Sequence, residues 1–238
     1  MKLYQKYKQY KQNTVKQGDV FPRVEWISYH IPKTAGTSFY QSLSDGFGER
    51  KIERVYDKET SAKLSRAEPL WIAPHKRLIH GHFKVREEHL TQFPNAKRII
   101  WVRDPIERLW SNLRHWVTYG GGAKRDVFKE RYMDGKDWEL PELFNYLVSD
   151  PYFDGIVNVY QQAFNFVKPK DFYFIGRSED YDSEILRLAD LMGKPLKPAT
   201  KNINRIDKEL PFDRKEYYKA FEKEYDFLRT HYDKDYPF

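Results

Sequence analysis

Trp26-Ile27-Ser28-Tyr29-His30-Ile31-Pro32-Lys33-Thr34-Ala35-Gly36-Thr37-Ser38-Phe39 decides how the rest of this chain is read. Its first residues are β-branched and aromatic, and Pro32 and Gly36 punctuate a turn, so the stretch predicts a strand running into a tight loop. Phe39, Leu43 and Phe47 then repeat at i, i+4 and i+8, one face of a helix that opens on the loop. The first turn of a helix leaves backbone N–H groups without intrahelical partners, and the helix dipole places positive potential there. Lys33 adds a full charge, and Thr34, Thr37 and Ser38 add hydroxyls around the same point. Two readings fit the loop alone: a helix start with an incidental lysine, or a cradle for a phosphate-type anion. It is not a Walker A loop, which requires G-x-x-x-x-G-K-[ST]; here the lysine comes three residues before the glycine.

Further along, Arg98-Ile99-Ile100-Trp101-Val102 is a near-continuous apolar run, the pattern of a parallel strand buried on both faces. It leads into Arg103-Asp104-Pro105-Ile106-Glu107-Arg108-Leu109-Trp110-Ser111. Asp104 suits an N-cap, Pro105 the first helical position and Glu107 the reciprocal capping position. Arg103 then stands at the carboxyl end of a strand, and Ser111 about two turns into the next helix, on the side shared with Asp104 and Arg108. An arginine fork with a serine hydroxyl grips a terminal phosphate well. Alone, the same element is equally a surface Arg–Asp pair on a capped helix.

Together the two elements resemble the cofactor-binding signatures of PAPS-dependent sulfotransferases, a P-K-x-x-[GS]-[TS] loop followed by R-D-P-x-x-R-x-x-S. They occur in the right order, about seventy residues apart, each after a predicted strand. The resemblance implies that Lys33, Thr34, Ala35, Gly36, Thr37 and Ser38 hold the 5′-phosphosulfate of PAPS (3′-phosphoadenosine 5′-phosphosulfate). It gives Arg103 and Ser111 the 3′-phosphate, with PAP as product. Between the motifs, Arg77-Leu78-Ile79-His80-Gly81-His82-Phe83 resembles the H-G-H segment of carbohydrate sulfotransferases related to the heparan sulfate uronyl 2-O enzymes. That likeness implies a saccharide hydroxyl as acceptor, His82 as general base, and His80 beside it orienting loop or acceptor. A histidine titrating near neutrality suits the task. The rival base is a carboxylate, Glu53 or Asp57. Lys33 is expected to act in the chemical step as well. Lys201-Asn202-Ile203-Asn204-Arg205 resembles the late basic loop that closes over the nucleotide, which adds Lys201 and Arg205 to the cofactor site. Phe174-Ile175-Gly176-Arg177-Ser178-Glu179-Asp180 resembles a further family landmark, a strand ending in G-R-x-E. The likeness runs from about residue 24 to about residue 232.

The other histidines read differently. His30 is expected to pack or to orient the loop, and His75, His89, His115 and His231 to occupy ordinary surface or helix positions. No His/Cys/Asp/Glu group has metal-site spacing, and there is no cysteine.

The 238 residues suffice for one substantial domain. The expected division is a basic lead over 1–22 and a sulfotransferase domain over 23–238. A net charge of +7 favours anionic partners by steering. Nucleic acid would be drawn by the same charge, but the paired motifs point to a nucleotide cofactor instead. No apolar run approaches the roughly 18 residues of a membrane span, and the lead lacks the apolar core of a signal peptide. With no cysteine framework, a cytoplasmic, bacterial-type enzyme is the simplest expectation.

Strand-like runs near 24–30, 77–80, 97–102 and 171–176 alternate with helical patterns near 37–47, 85–92, 105–118, 139–149 and 155–166. Ile185, Leu188, Ala189 and Met192 mark a later helix, and Tyr218, Phe221, Tyr225, Leu228 and Tyr232 a terminal one. The expected fold class is α/β: a single-domain, P-loop-like, three-layer fold with a central parallel sheet and helices on both faces. Its ligand would lie at the strands' carboxyl ends. Tyr119-Gly120-Gly121-Gly122-Ala123-Lys124-Arg125 is compatible with a lid, an acceptor loop or a solvated connection. The alternatives to a sulfotransferase are a P-loop kinase or nucleotide hydrolase, and a non-catalytic basic protein that binds glycan or nucleic acid.

Overall fold

The computed structural model describes residues 2–120, 122–199 and 210–229. Strands β1 (Trp26–Tyr29), β2 (Ile52–Val55), β3 (Leu78–Gly81), β4 (Lys97–Val102) and β5 (Phe174–Arg177) form a parallel sheet in the order β2-β3-β1-β4-β5. In chain order the helices are α1 (Lys2–Gln12), α2 (Gly36–Phe47), α3 (Lys58–Ser65), α4 (His89–Gln92), α5 (Pro105–Tyr119) and α6 (Ala123–Tyr132). They continue as α7 (Leu140–Ser149), α8 (Asp154–Val157), α9 (Val159–Phe164), α10 (Tyr181–Met192) and α11 (Tyr218–Arg229). Contacts divide the chain into two compact units. One, residues 1–31, 35–102 and 163–202, carries the sheet with α1–α4 and α10. The other, residues 32–34, 103–162 and 203–238, carries α5–α8, most of α9, and α11.

In the sheet unit, strand alternation sends Trp26, Ile52, Leu78, Ile99, Trp101 and Phe174 to one face. There they pack with Phe39, Leu43 and Phe47 of α2 and Ile185, Leu188 and Met192 of α10. Each large apolar side chain removed from water contributes roughly 1.5–3 kcal/mol, so this cluster is what seats α2. On the opposite face Tyr29 packs against Phe83 and stacks on His89, whose Nε2–H donates to the Leu64 carbonyl of α3 at 3.0 Å. Helices thus flank a parallel sheet, the α/β architecture expected from the alternation of patterns.

Several elements differ from expectation for identifiable reasons. Glu53-Arg54 breaks the apolar pattern of strand β2 and masks it in the sequence. Glu53 is buried but paired with Lys8 at 2.5 Å and Lys76 at 3.8 Å, which offsets the cost of placing a carboxylate there. The lead contains α1, joined to the sheet unit by Lys8 and by Gln12, which bonds the Pro69 carbonyl and the Trp71 N–H. Helix α3 buries only Leu64 but is capped by Asp57, whose carboxylate accepts from the Thr60 N–H at 2.9 Å. The helix expected over 85–92 shrinks to α4. The one expected over 155–166 is broken at Asn158 into α8 and α9.

In the helical unit, α5 starts as anticipated, with Asp104 accepting from the Glu107 N–H and Pro105 in the first position. The reciprocal half of the capping box does not form; the Glu107 carboxylate turns to Arg103 and Arg214 instead. Arg108 is buried and donates to the carbonyls of Ile156 (2.5 Å) and Val157 (3.3 Å), fixing α8 against α5.

Candidate active site

The loop after β1 has an unusual backbone. Lys33 (φ 73°) and Ala35 (φ 61°, ψ 17°) are both left-handed, whereas Thr34 and Gly36 are not. Such alternation turns successive N–H groups to one side and makes an anion-binding concavity. A non-glycine residue held this way costs roughly 1–2 kcal/mol. Ala35 is also the N-cap of α2 and supplies no side-chain cap, so the first-turn donors receive none from it. Thr34, Gly36 and Ser38 are buried, Lys33 and Ala35 half-buried, and Thr37 exposed.

Within the helical unit Lys33 lies in the field of two guanidinium groups. Its pKa is lowered by burial first, then by Arg103 and Arg114. His115 is lowered by burial and by Lys33. Arg103 is held by its backbone: its N–H donates to the Tyr160 hydroxyl at 2.7 Å, and that hydroxyl donates to its carbonyl at 2.8 Å. Its side chain reaches Glu107 at 3.3 Å. Ser111 is half-buried on α5, one turn before Arg114. Arg114 belongs to no sequence motif, although its i+3 spacing from Ser111 puts the two on one helix face.

Within the sheet unit β1 and β3 bring histidines to their carboxyl ends, and the neighbouring β2 brings Tyr56. His80 is buried, and burial with the His82 and Arg54 charges lowers its pKa to about 3, so it is neutral at physiological pH. Its Nδ1 bonds the Ser28 hydroxyl (2.9 Å) and its Nε2 the Tyr56 hydroxyl (2.7 Å). Tyr56 continues to Nδ1 of His30 at 2.8 Å. His82 follows β3 with one side open to solvent and its ring packed on its neighbours, the centroid 4.4 Å from His30 and 4.7 Å from Tyr56. Desolvation lowers its pKa, which leaves a neutral imidazole able to accept a proton at neutral pH. Gly36 explains how His30 fits. A Cβ built there would lie 1.8 Å from His30 Nε2, so the imidazole occupies the space a side chain would need.

The other expected positions separate clearly. Glu53 is tied to Lys8 and Lys76 on the face opposite His80, and Asp57 is committed to capping α3. Lys201 and Arg205, like His231, lie outside the described residues. In the 119–125 segment, Lys124 and Arg125 belong to α6; Lys124 lies 3.5 Å over the Tyr152 ring, and Arg125 donates to the Trp116 carbonyl. His89 is not an ordinary surface position: it is buried between Tyr29 and Leu64, with a pKa lowered to about 4.

The Lys33 loop therefore follows the central strand of a parallel α/β sheet. The profile of the sulfotransferase family matches residues 17–236, and the chain belongs to that family. A sulfotransferase from Alicyclobacillus acidocaldarius is similar in structure, with TM-score 0.50 and 12% identity over 90% of this chain and 98% of that one. At that identity the similarity supports the P-loop-like α/β fold alone. Mouse sulfotransferase SULT7A1 complexed with PAP gives TM-score 0.38 and 11% identity over 91% of this chain and 70% of that one. A retinol dehydratase in complex with retinol and PAP gives 0.42 and 14% over 94% and 86%. Neither of these two likenesses carries an argument here. A comparison with curated proteins returns no match. Among the described residues no helix is long and apolar enough to cross a membrane.

Proposed function

We propose that the protein transfers the sulfuryl group of PAPS to a hydroxyl of a saccharide acceptor, with His82 as general base. The observation that carries this reading is the left-handed loop that turns N–H groups to one side at Lys33, whose ammonium is disfavoured first by burial and then by the Arg103 and Arg114 charges, an environment an anionic ligand would relieve. PAPS fits that donor set: it presents a 5′-phosphosulfate and a 3′-phosphate, and it supplies a sulfuryl group on a phosphate leaving group. The N–H groups of Ala35 to Ser38 and the hydroxyls of Thr34, Thr37 and Ser38 orient the phosphosulfate. Arg103 and Ser111 hold the 3′-phosphate. His82 takes the acceptor's hydroxyl proton as the acceptor O–S bond forms and the S–O bond to phosphate breaks. The Lys33 ammonium stabilises the electron pair left on the phosphate oxygen, an interaction stronger in the transition state than before it. The lysine-before-glycine order of the loop disfavours a Walker-type kinase.

Calorimetry with PAP tests the assignment. Removing one charge-assisted contact should cost about 1.5–3 kcal/mol of binding, roughly ten- to a hundredfold in Kd. Arg103→Ala and Ser111→Ala should lose that much for PAP and little for adenosine 5′-phosphosulfate, which lacks the 3′-phosphate. Equal losses for both ligands would reject it.

A further inference from the structure

The Tyr56 hydroxyl joins two imidazoles, His80 Nε2 at 2.7 Å and His30 Nδ1 at 2.8 Å. A phenol has one proton, so in a neutral chain it donates to one ring and accepts from the other. Either choice fixes both tautomers: a proton on Nε2 of both rings, or on Nδ1 of both. The far end of the chain is the Ser28 hydroxyl, itself buried, at 2.9 Å from His80 Nδ1. A hydroxyl at a buried end has no solvent source from which to replace a proton, so the chain works as a fixed scaffold rather than a wire. His82 rests against the outer end of that scaffold, in ring contact with both His30 and Tyr56. The other groups facing Tyr56 are Arg54, 5.5 Å from its ring, and Tyr40, whose ring lies 4.3 Å from the same guanidinium.

We propose that Tyr56 is a positioning residue for the transfer reaction: its hydroxyl locks His30 and His80 in matching tautomers and so fixes the surface against which the His82 imidazole is aimed. The inference rests on the function proposed above. It adds two residues, Tyr56 and His30, that touch neither cofactor nor acceptor in that scheme. An aimed base acts in the chemical step, so loss of the scaffold should lower turnover and leave cofactor binding alone.

Tyr56→Phe removes one oxygen and keeps the ring. The assay is PAPS turnover with water as the acceptor hydroxyl, with PAP affinity by calorimetry and imidazole 15N shifts by NMR in the cofactor-free protein. The expected result is a kcat at least tenfold lower, KM and PAP affinity within about twofold, and His30 and His80 shifts moving from single tautomers toward averaged values. Unchanged kcat, or unchanged tautomer shifts, would overturn the proposal. If Tyr56→Phe proves unstable, His30→Gln replaces it, with the same expected split between kcat and KM. Wild-type protein that fails to bind PAP would sink the functional reading and the positioning role of Tyr56 with it. That failure is distinguishable, because the tautomer shifts are read without cofactor.

Discussion

Replacing Gly36 by alanine tests the geometry around His30 most directly. The added Cβ would lie 1.8 Å from Nε2 and 2.1 Å from Cδ2 and Cε1 of that ring, whereas ordinary contact begins at 3.4 Å. The ring must therefore withdraw by about 1.6 Å. A movement of that size takes His30 out of hydrogen-bond range of Tyr56, now 2.8 Å away. Overpacking of this kind costs about 1–3 kcal/mol, and the lost hydrogen bond about 1 more. Offsetting this, Gly36 has no positive φ, so alanine restricts the unfolded chain and returns about 0.4–1 kcal/mol. Gly36→Ala should then destabilise by about 1–3 kcal/mol in equilibrium urea unfolding. In a His30→Ala background the obstructing ring is gone, and the same substitution should be neutral or slightly stabilising. The cycle isolates a coupling of about 2 kcal/mol between the two positions. An equal effect of Gly36→Ala in both backgrounds would refute the argument.

Gly81→Ala meets a harder obstacle, because its Cβ would lie 1.9 Å from the Val55 carbonyl oxygen, which also accepts the His82 N–H at 2.8 Å. Backbone cannot step aside as a side chain can, so this variant should unfold at lower urea than Gly36→Ala; equal midpoints would contradict the packing. Glu224 offers a pH test. Burial pushes its carboxyl up to about 7, above the ordinary 4.5, although the N–H groups of Tyr160 and Gln161 and the charge of Arg108 pull it down. Between those two values the folded chain binds more protons than the unfolded one, so this group makes stability fall as pH rises through the window. Glu224→Gln removes the titration, and the stability difference between wild type and variant should shift against the wild type from about pH 4.5 to 7. A difference that stays constant over that range would show that Glu224 is ionised throughout.

What was legible in the sequence was carried by local chemistry. Pro32 and Gly36 announce the turn, Phe39 and Leu43 the buried face of α2, and Asp104-Pro105 the start of α5, all within a few residues of the structure they specify. The misses were non-local. Glu53-Arg54 reads as polar until Lys8 and Lys76 are known to neutralise Glu53 from 45 residues before it and from beyond the next helix. His30 reads as a solitary strand-end residue because its partner Tyr56 is 26 residues away. His89 gives no sign of burial until Tyr29, 60 residues earlier, is seen to bond it. Arg114 differs: its placement one turn after Ser111 was available from helical geometry alone.

The loop's two costs have a common remedy. Left-handed Lys33 and Ala35 each raise the free energy of the loop, and burial first, then the Arg103 and Arg114 charges, make the Lys33 ammonium less stable than in water. A chain selected only for stability would relax both, by glycine at 33 and 35 and by a neutral residue at 33. A bound anion reverses the electrostatic part, turning repulsion among cations into attraction toward a shared partner. It also gives the aligned N–H groups an acceptor that the backbone geometry prepares. On the proposed function that strain is already built into the loop, so little reorganisation would remain for binding. Residues that are individually unfavourable and jointly complementary to one kind of charge are what the proposed anion site would require.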